Sequence, residues 1–74
     1  MNRDKVHFYT DEANEWRWNR LDAGNHEIVG AATEGYVNRG DCVENAVSQF
    51  GSTVDYTLRG EPFDPFHEGT AVVP

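Results

Sequence analysis

The stretch EWRWNRLDAGNHEIVG, residues 15–30, decides the fold. Its first seven residues alternate. In an extended chain Trp16, Trp18 and Arg20 project to one side, and Arg17, Asn19 and Leu21 to the other. DAGN (22–25) then offers a glycine and an asparagine, both tolerant of positive φ, as a tight turn requires. HEIVGAA (26–32) resumes as a strand with Ile28 and Val29 at its centre. The whole reads as a β-hairpin. Its Trp/Arg alternation has two physical uses. Aromatic rings on a sheet can stack nucleic-acid bases, with arginine adding cation–π attraction. Alternatively, the tryptophans pack against a second layer while the arginines pair with nearby acids.

Working outward, VHFYT (6–10) alternates Val6, Phe8 and Thr10 against His7 and Tyr9, all good strand formers. DEAN (11–14) is a polar turn cluster. The three strands, joined by connections too short for a parallel crossover, make an antiparallel meander. The period then changes. Cys42, Val43, Ala46, Val47 and Phe50 recur at helical spacing and form one apolar stripe. Asn38 stands at the N-cap, Asp41 three residues later completes a capping-box-like pair, and Gly51 sits where a C′ glycine ends a helix. One helix over 39–50 is predicted. In STVDYTL (52–58), Val54, Tyr56 and Leu58 alternate, which allows a short fourth strand over 53–58. From Gly60 onward Pro62, Pro65 and Pro74, with Gly60 and Gly69, give the composition of a loop or tail. The division expected is a β-β-β-α domain over 1–51 and a C-terminal extension over 52–74, in the α+β class.

Length and charge set the limits. A chain of 74 residues makes one small domain, whose core is marginal because little of its surface can be buried. Small scaffolds make up the deficit with disulfides, a metal or oligomerisation. One cysteine, Cys42, cannot form an intrachain bridge, and its place on the apolar stripe suits a small buried residue. Thirteen acids against six basic residues give a formal net charge of -7, with a sequence pI of about 4.6. Five of the six bases are arginine and only Lys5 is lysine. An acidic surplus is the halophile's means of staying soluble, and with so little lysine the composition resembles that of salt-in haloarchaeal proteins. The same charge opposes phosphate binding, which depends on cations and weakens as salt rises. MNRDKVHFYT has no apolar stretch behind its charges and mean hydropathy is -0.71, so neither a secretory leader nor a membrane span is expected. The expected location is cytoplasmic.

One helix covers one face of a meander. The other face, or a bare edge, is then left apolar, and such a patch on a small protein marks an interface. A second copy of the chain is the commonest remedy.

In their order, several of these residues resemble the YegP-type family of small proteins of unknown function. The resemblance rests on Phe8, on Trp16-Arg17-Trp18-Asn19-Arg20-Leu21 with Asn25, and on Ile28-Val29-Gly30, Gly35-Tyr36 and Asn45-Ala46-Val47-Ser48-Gln49-Phe50. It covers about residues 6–50; the segment 52–74 has no counterpart in it. It implies a β-β-β-α unit present twice in one chain or once in a homodimer. With a single copy here it points to a homodimer, and it transfers no catalytic residue.

No catalytic, cofactor-binding or metal site emerges from the remaining residues. His7, His26 and His67 lack metal-ligand spacing, and HEG (67–69) is a zincin fragment without its second histidine. GAATEG (30–35) lacks the elements of a phosphate-binding loop. The expectation is a homodimeric, non-enzymatic binding or interaction module adapted to high salt, with no cofactor and an unidentified ligand. The alternative is a nucleic-acid-binding module. Trp16, Arg17, Trp18, Arg20 and Tyr36 are the candidate interface or binding face.

Overall fold

Alternation sorts the strand residues into an inner and an outer set, and the register shows which set the helix covers. The computed structural model describes residues 3–66. The expectations on His67, HEG (67–69) and Pro74 lie outside these residues. β1 (Lys5–Thr10), β2 (Trp16–Leu21) and β3 (Ile28–Ala31) form the expected antiparallel run, followed by α1 (Arg39–Phe50). Two further strands, β4 (Asp55–Leu58) and β5 (Glu61–Phe63), complete a five-stranded sheet of order β3-β2-β1-β4-β5. The class is α+β.

The meander is present as expected, and the fourth strand allowed over 53–58 forms at Asp55–Leu58; what differs is that the sheet extends past the meander on the β1 side. β4 returns from the helix to lie parallel to β1, with Lys5 opposite Asp55 and Phe8 opposite Leu58. β1 therefore lies inside the sheet, between β2 and β4. The reading of everything beyond Gly60 as loop or tail is corrected. Leu58 and Glu61 are joined by a two-residue turn in which Arg59 (φ 51) and Gly60 (φ 88) both adopt positive φ, as a twisted hairpin requires. Pro62 sits in β5 opposite Thr57. It is tolerated because β5 is an edge strand.

Residues opposite one another share a face. Phe8 stands opposite Trp18, Val6 opposite both Arg20 and Tyr56, and Tyr56 opposite Phe63. This inner face meets the helical stripe. Val6, Phe8, Trp18, Cys42, Ala46, Val54 and Tyr56 form the buried core, with Trp16, Tyr36, Val43, Val47, Phe50, Leu58 and Phe63 packed around it. Phe8 stacks on Tyr56 at 5.8 Å and takes the edge of Phe63 at the same separation.

The outer face is not the apolar surface expected. It carries Lys5, His7 and Tyr9 from β1, Arg17, Asn19 and Leu21 from β2, and Asp55 and Thr57 from β4. The tryptophans do not lie open there; one layer suffices to cover them because all the large apolar residues of β1 and β2 except Tyr9 and Leu21 fall on the helix side.

The helix ends differ in how well the local chemistry forecasts them. Gly51 (φ 57) closes the C-terminus by donating its N–H to the Val47 carbonyl at 2.8 Å. Asn38 is extended, and its carbonyl accepts the Cys42 N–H. Its side chain makes no cap, so the capping-box expectation is corrected: the amide turns to the Asp41 carboxylate instead, at 3.5 Å. Asp41 still serves the positive end of the helix dipole.

Candidate functional site

Each arginine of β2 is held by an aspartate that also fixes a turn. Asp11 accepts the Arg17 Nε–H at 2.5 Å through one oxygen, and the backbone N–H groups of Ala13 and Glu15 through the other. Asp4 accepts the Arg20 Nε–H at 2.8 Å and the Ala23 N–H at 2.8 Å. The arginine hydrogen bond, first, and the backbone N–H donors hold both carboxyls below the ordinary 3.8. The folded chain thus binds these protons less readily than the unfolded chain. Their contribution to stability is complete above the unfolded value and is lost as pH falls through the lowered folded values. Melting temperature at low salt is expected to fall as pH drops below about 4. The slope should flatten in the double variant Asp4→Asn, Asp11→Asn, followed by circular dichroism. An equally steep slope in that variant would assign the acid sensitivity elsewhere.

The five candidate residues do not form one surface. Arg17 is on the outer face, while Trp16, Trp18 and Arg20 turn to the helix. Trp18 is only 4% exposed. Its Nε1–H donates to Asn45 Oδ1 at 2.9 Å, and its ring meets Phe50 edge-on at 5.2 Å. Trp16 is half-buried under the Arg59 guanidinium, 5.2 Å from the ring centroid. Arg20 lies 4.8 Å over the Phe50 ring. Tyr36 exchanges both backbone hydrogen bonds with Trp16, at 2.7 and 2.9 Å, which extends the β3 side of the sheet along the whole of β2. Its phenol, pushed up first by burial and then by Glu34, edges a recess of about 620 Å³ with Asp41, Glu44, Asn45 and Ser48. A base-stacking platform needs exposed rings, and the ring of Trp18 faces inward.

The outer face holds a different group, which the sequence pattern did not single out. His7 and Tyr9 stack at 6.0 Å with an interplanar angle of 10°, and His7 Nδ1 shares a 2.9 Å hydrogen bond with Thr57 Oγ1. The signal was there in the His7/Tyr9 alternation of the first strand; what was missing was β4, which supplies Thr57. Asn45 was likewise visible only as part of the family pattern, although it is the polar anchor of the core tryptophan.

Cys42 is fully buried and burial pushes its thiol up to about 11, where the reactive thiolate is scarce at neutral pH. Among the described residues no three of His, Cys, Asp and Glu gather as metal ligands, and no helix is long and apolar enough to cross a membrane.

Comparison with known proteins gives one match. The model of the family described as "Domain of unknown function (DUF1508)", a domain that YegP-type proteins carry, covers residues 11–48, just over half of the chain. No curated protein and no solved structure matches. The matched span runs from the Asp11 turn through β2 and β3 into the last turn of α1. It contains both tryptophans, Tyr36 and Asn45, and this chain belongs to that family of domains.

Proposed function

We propose that this protein is a small homodimeric, non-enzymatic binding or interaction module of the cytoplasm, adapted to high salt. One observation carries the reading: a five-stranded sheet has a single twelve-residue helix on one face and no layer on the other among the described residues. The His7–Tyr9 stack, with Leu21 beside it, is the natural contact of a second copy. The tryptophans are covered within one chain, and it is the uncovered outer face that would receive a second copy. The family resemblance, in which β-β-β-α units occur in pairs, favours the same assembly. Sealing of Cys42 and the engagement of Asp4 and Asp11 by arginines support a non-catalytic role. The net charge of -7 with one lysine supports the high-salt setting, where self-repulsion between two acidic copies is screened.

The test is mass. Sedimentation equilibrium in multimolar potassium chloride is expected to return twice the 8.4 kDa of the chain. Tyr9→Glu, which places a charge on the outer face and leaves the core alone, is expected to return 8.4 kDa. A wild-type mass of one chain throughout the micromolar range removes the dimer.

A further inference from the structure

The two edges of the sheet are unlike. β5 is three residues long, begins with Glu61 and has Pro62 at its centre, which offers no N–H. Shortness, charge and proline are the ordinary means of blocking strand addition. The opposite edge has none of them. β3 reads Ile28-Val29-Gly30-Ala31 and runs into Ala32, five residues without a charge or a proline in an acidic chain. A bulge at its pairing with Arg20 and Leu21 leaves both Ile28 and Val29 more than half exposed, at 61% and 58%. The chain then continues beside β2, where Ala32 donates to the Trp18 carbonyl at 2.9 Å and Tyr36 pairs with Trp16. Val37, at 81%, closes this edge. Of the four large apolar side chains exposed among the described residues, only Phe66 lies elsewhere.

The backbone is open here as well. Residues of an antiparallel strand bond alternately toward one neighbour and the other. Ala32 bonds inward to Trp18, so Ala31, which stands opposite Asn19, directs its N–H and C=O outward. Together with the exposed Ile28 and Val29 beside it, this outward-facing pair is a starting point for adding another extended chain.

Charge selects the occupant. Glu27 precedes the edge and Glu34 interrupts its far half, both exposed. Neither glutamate takes part in the Arg3–Asp55, Arg17–Asp11 or Arg20–Asp4 pairs, and Glu27 accepts the neutral Asn25 amide at 3.0 Å. At low ionic strength a second copy would bring like charges together along this edge. An extended peptide with cationic ends would find complementary ones.

We propose that the edge formed by residues 28–37 accepts an extended peptide from another protein, a short alternating apolar core flanked by lysine or arginine, as a sixth strand of the sheet. The proposal rests on the reading of the chain as a binding module and is independent of the dimer.

The probe is a fluorescein-labelled peptide, Lys-Lys-Val-Thr-Val-Thr-Val-Lys-Lys, titrated by anisotropy in dilute buffer and in molar potassium chloride. Saturable binding by the wild type is expected, weaker in high salt. Ala31→Pro deletes an outward donor that the β2 ladder does not use, and should weaken binding about tenfold or more while the far-ultraviolet spectrum is retained. Glu27→Lys with Glu34→Lys leaves every ladder bond in place and should weaken it about as much in dilute buffer. Absence of binding by the wild type at millimolar peptide, or equal binding by either variant, overturns the proposal. A dimer that Ala31→Pro converts to a monomer, with no peptide bound, assigns the edge to a second copy and also overturns it, while the homodimer stands. Peptide binding by a monomeric wild type, lost in Ala31→Pro, supports the edge site and removes the dimer instead.

Discussion

Trp18→Ala is expected to leave the protein largely unfolded in dilute buffer at room temperature. Trp18 is the largest side chain of the core, packed between Phe8 across the strand pair and Phe50 on the helix, with its Nε1–H on Asn45. Removing a buried aromatic side chain costs about 3–5 kcal/mol, the lost transfer free energy plus that of the cavity. A domain this small has a stability toward the low end of about 5–15 kcal/mol. One substitution therefore consumes most of it. Asn45 makes the loss worse, since its Oδ1 keeps only the Gln49 amide at 3.2 Å. Urea unfolding followed by circular dichroism in molar potassium chloride, where enough folded protein should remain, reads the difference. A loss below about 1 kcal/mol would place Trp18 outside the core and reopen it as a surface residue.

A chain ending at Gly51 is expected not to fold at all. It keeps the first three strands and the helix but removes β4 and β5, and with them the inner neighbour of β1. Val54 and Tyr56 leave the core, and the half-buried Leu58 and Phe63 leave its margin. At roughly 1.5–3 kcal/mol for each fully buried large side chain, the loss exceeds what a domain of this size has to spare. Polar ties go too. The Tyr56 hydroxyl donates to the Gly51 carbonyl at 2.6 Å, and the Arg3 guanidinium donates to the carbonyls of Ser52 and Val54. The 1–51 fragment should show a disordered spectrum and no cooperative melt. A synthetic 52–66 peptide added in excess should restore some of the native signal. A cooperative transition in the fragment alone would show that β4 is dispensable.

How much of this was legible beforehand depends on how local the governing physics is. Alternation over VHFYT and WRWNRL and the helical spacing from Cys42 to Phe50 are local, and they gave three strands and the helix 39–50 with the core stripe in place. Which face of β2 the helix covers is not local. It follows from Val6 and Phe8 lying opposite Arg20 and Trp18, and so from register. β5 was missed because Pro62 and the Arg59-Gly60 turn look like loop chemistry; arginine is an unusual residue at positive φ, and an edge strand forgives its proline. The Asn38 side chain turns its Nδ2 toward Asp41, so its Oδ1 does not accept a helix N–H. Of the candidate site, the arginine–aspartate pairing was foreseeable as a class. The His7–Tyr9–Thr57 group was not, because it assembles only when β1 and β4 meet.

That meeting has a consequence for how the protein forms. Because β1 is paired on one side by β2 and on the other by β4, its four-residue parallel register with β4 is made between segments far apart in the sequence, Lys5 with Asp55 and Phe8 with Leu58. Contacts of such long separation slow folding, since the intervening chain must be closed before they yield anything. A ribosome-bound chain that has exposed residues only as far as the end of α1 holds a strand, Lys5–Thr10, with an unsatisfied side. The sheet can close only when Leu58 has emerged. Closure of the sheet thus waits on β4, and a nascent chain carrying a bare β1 is the species that a chaperone would meet.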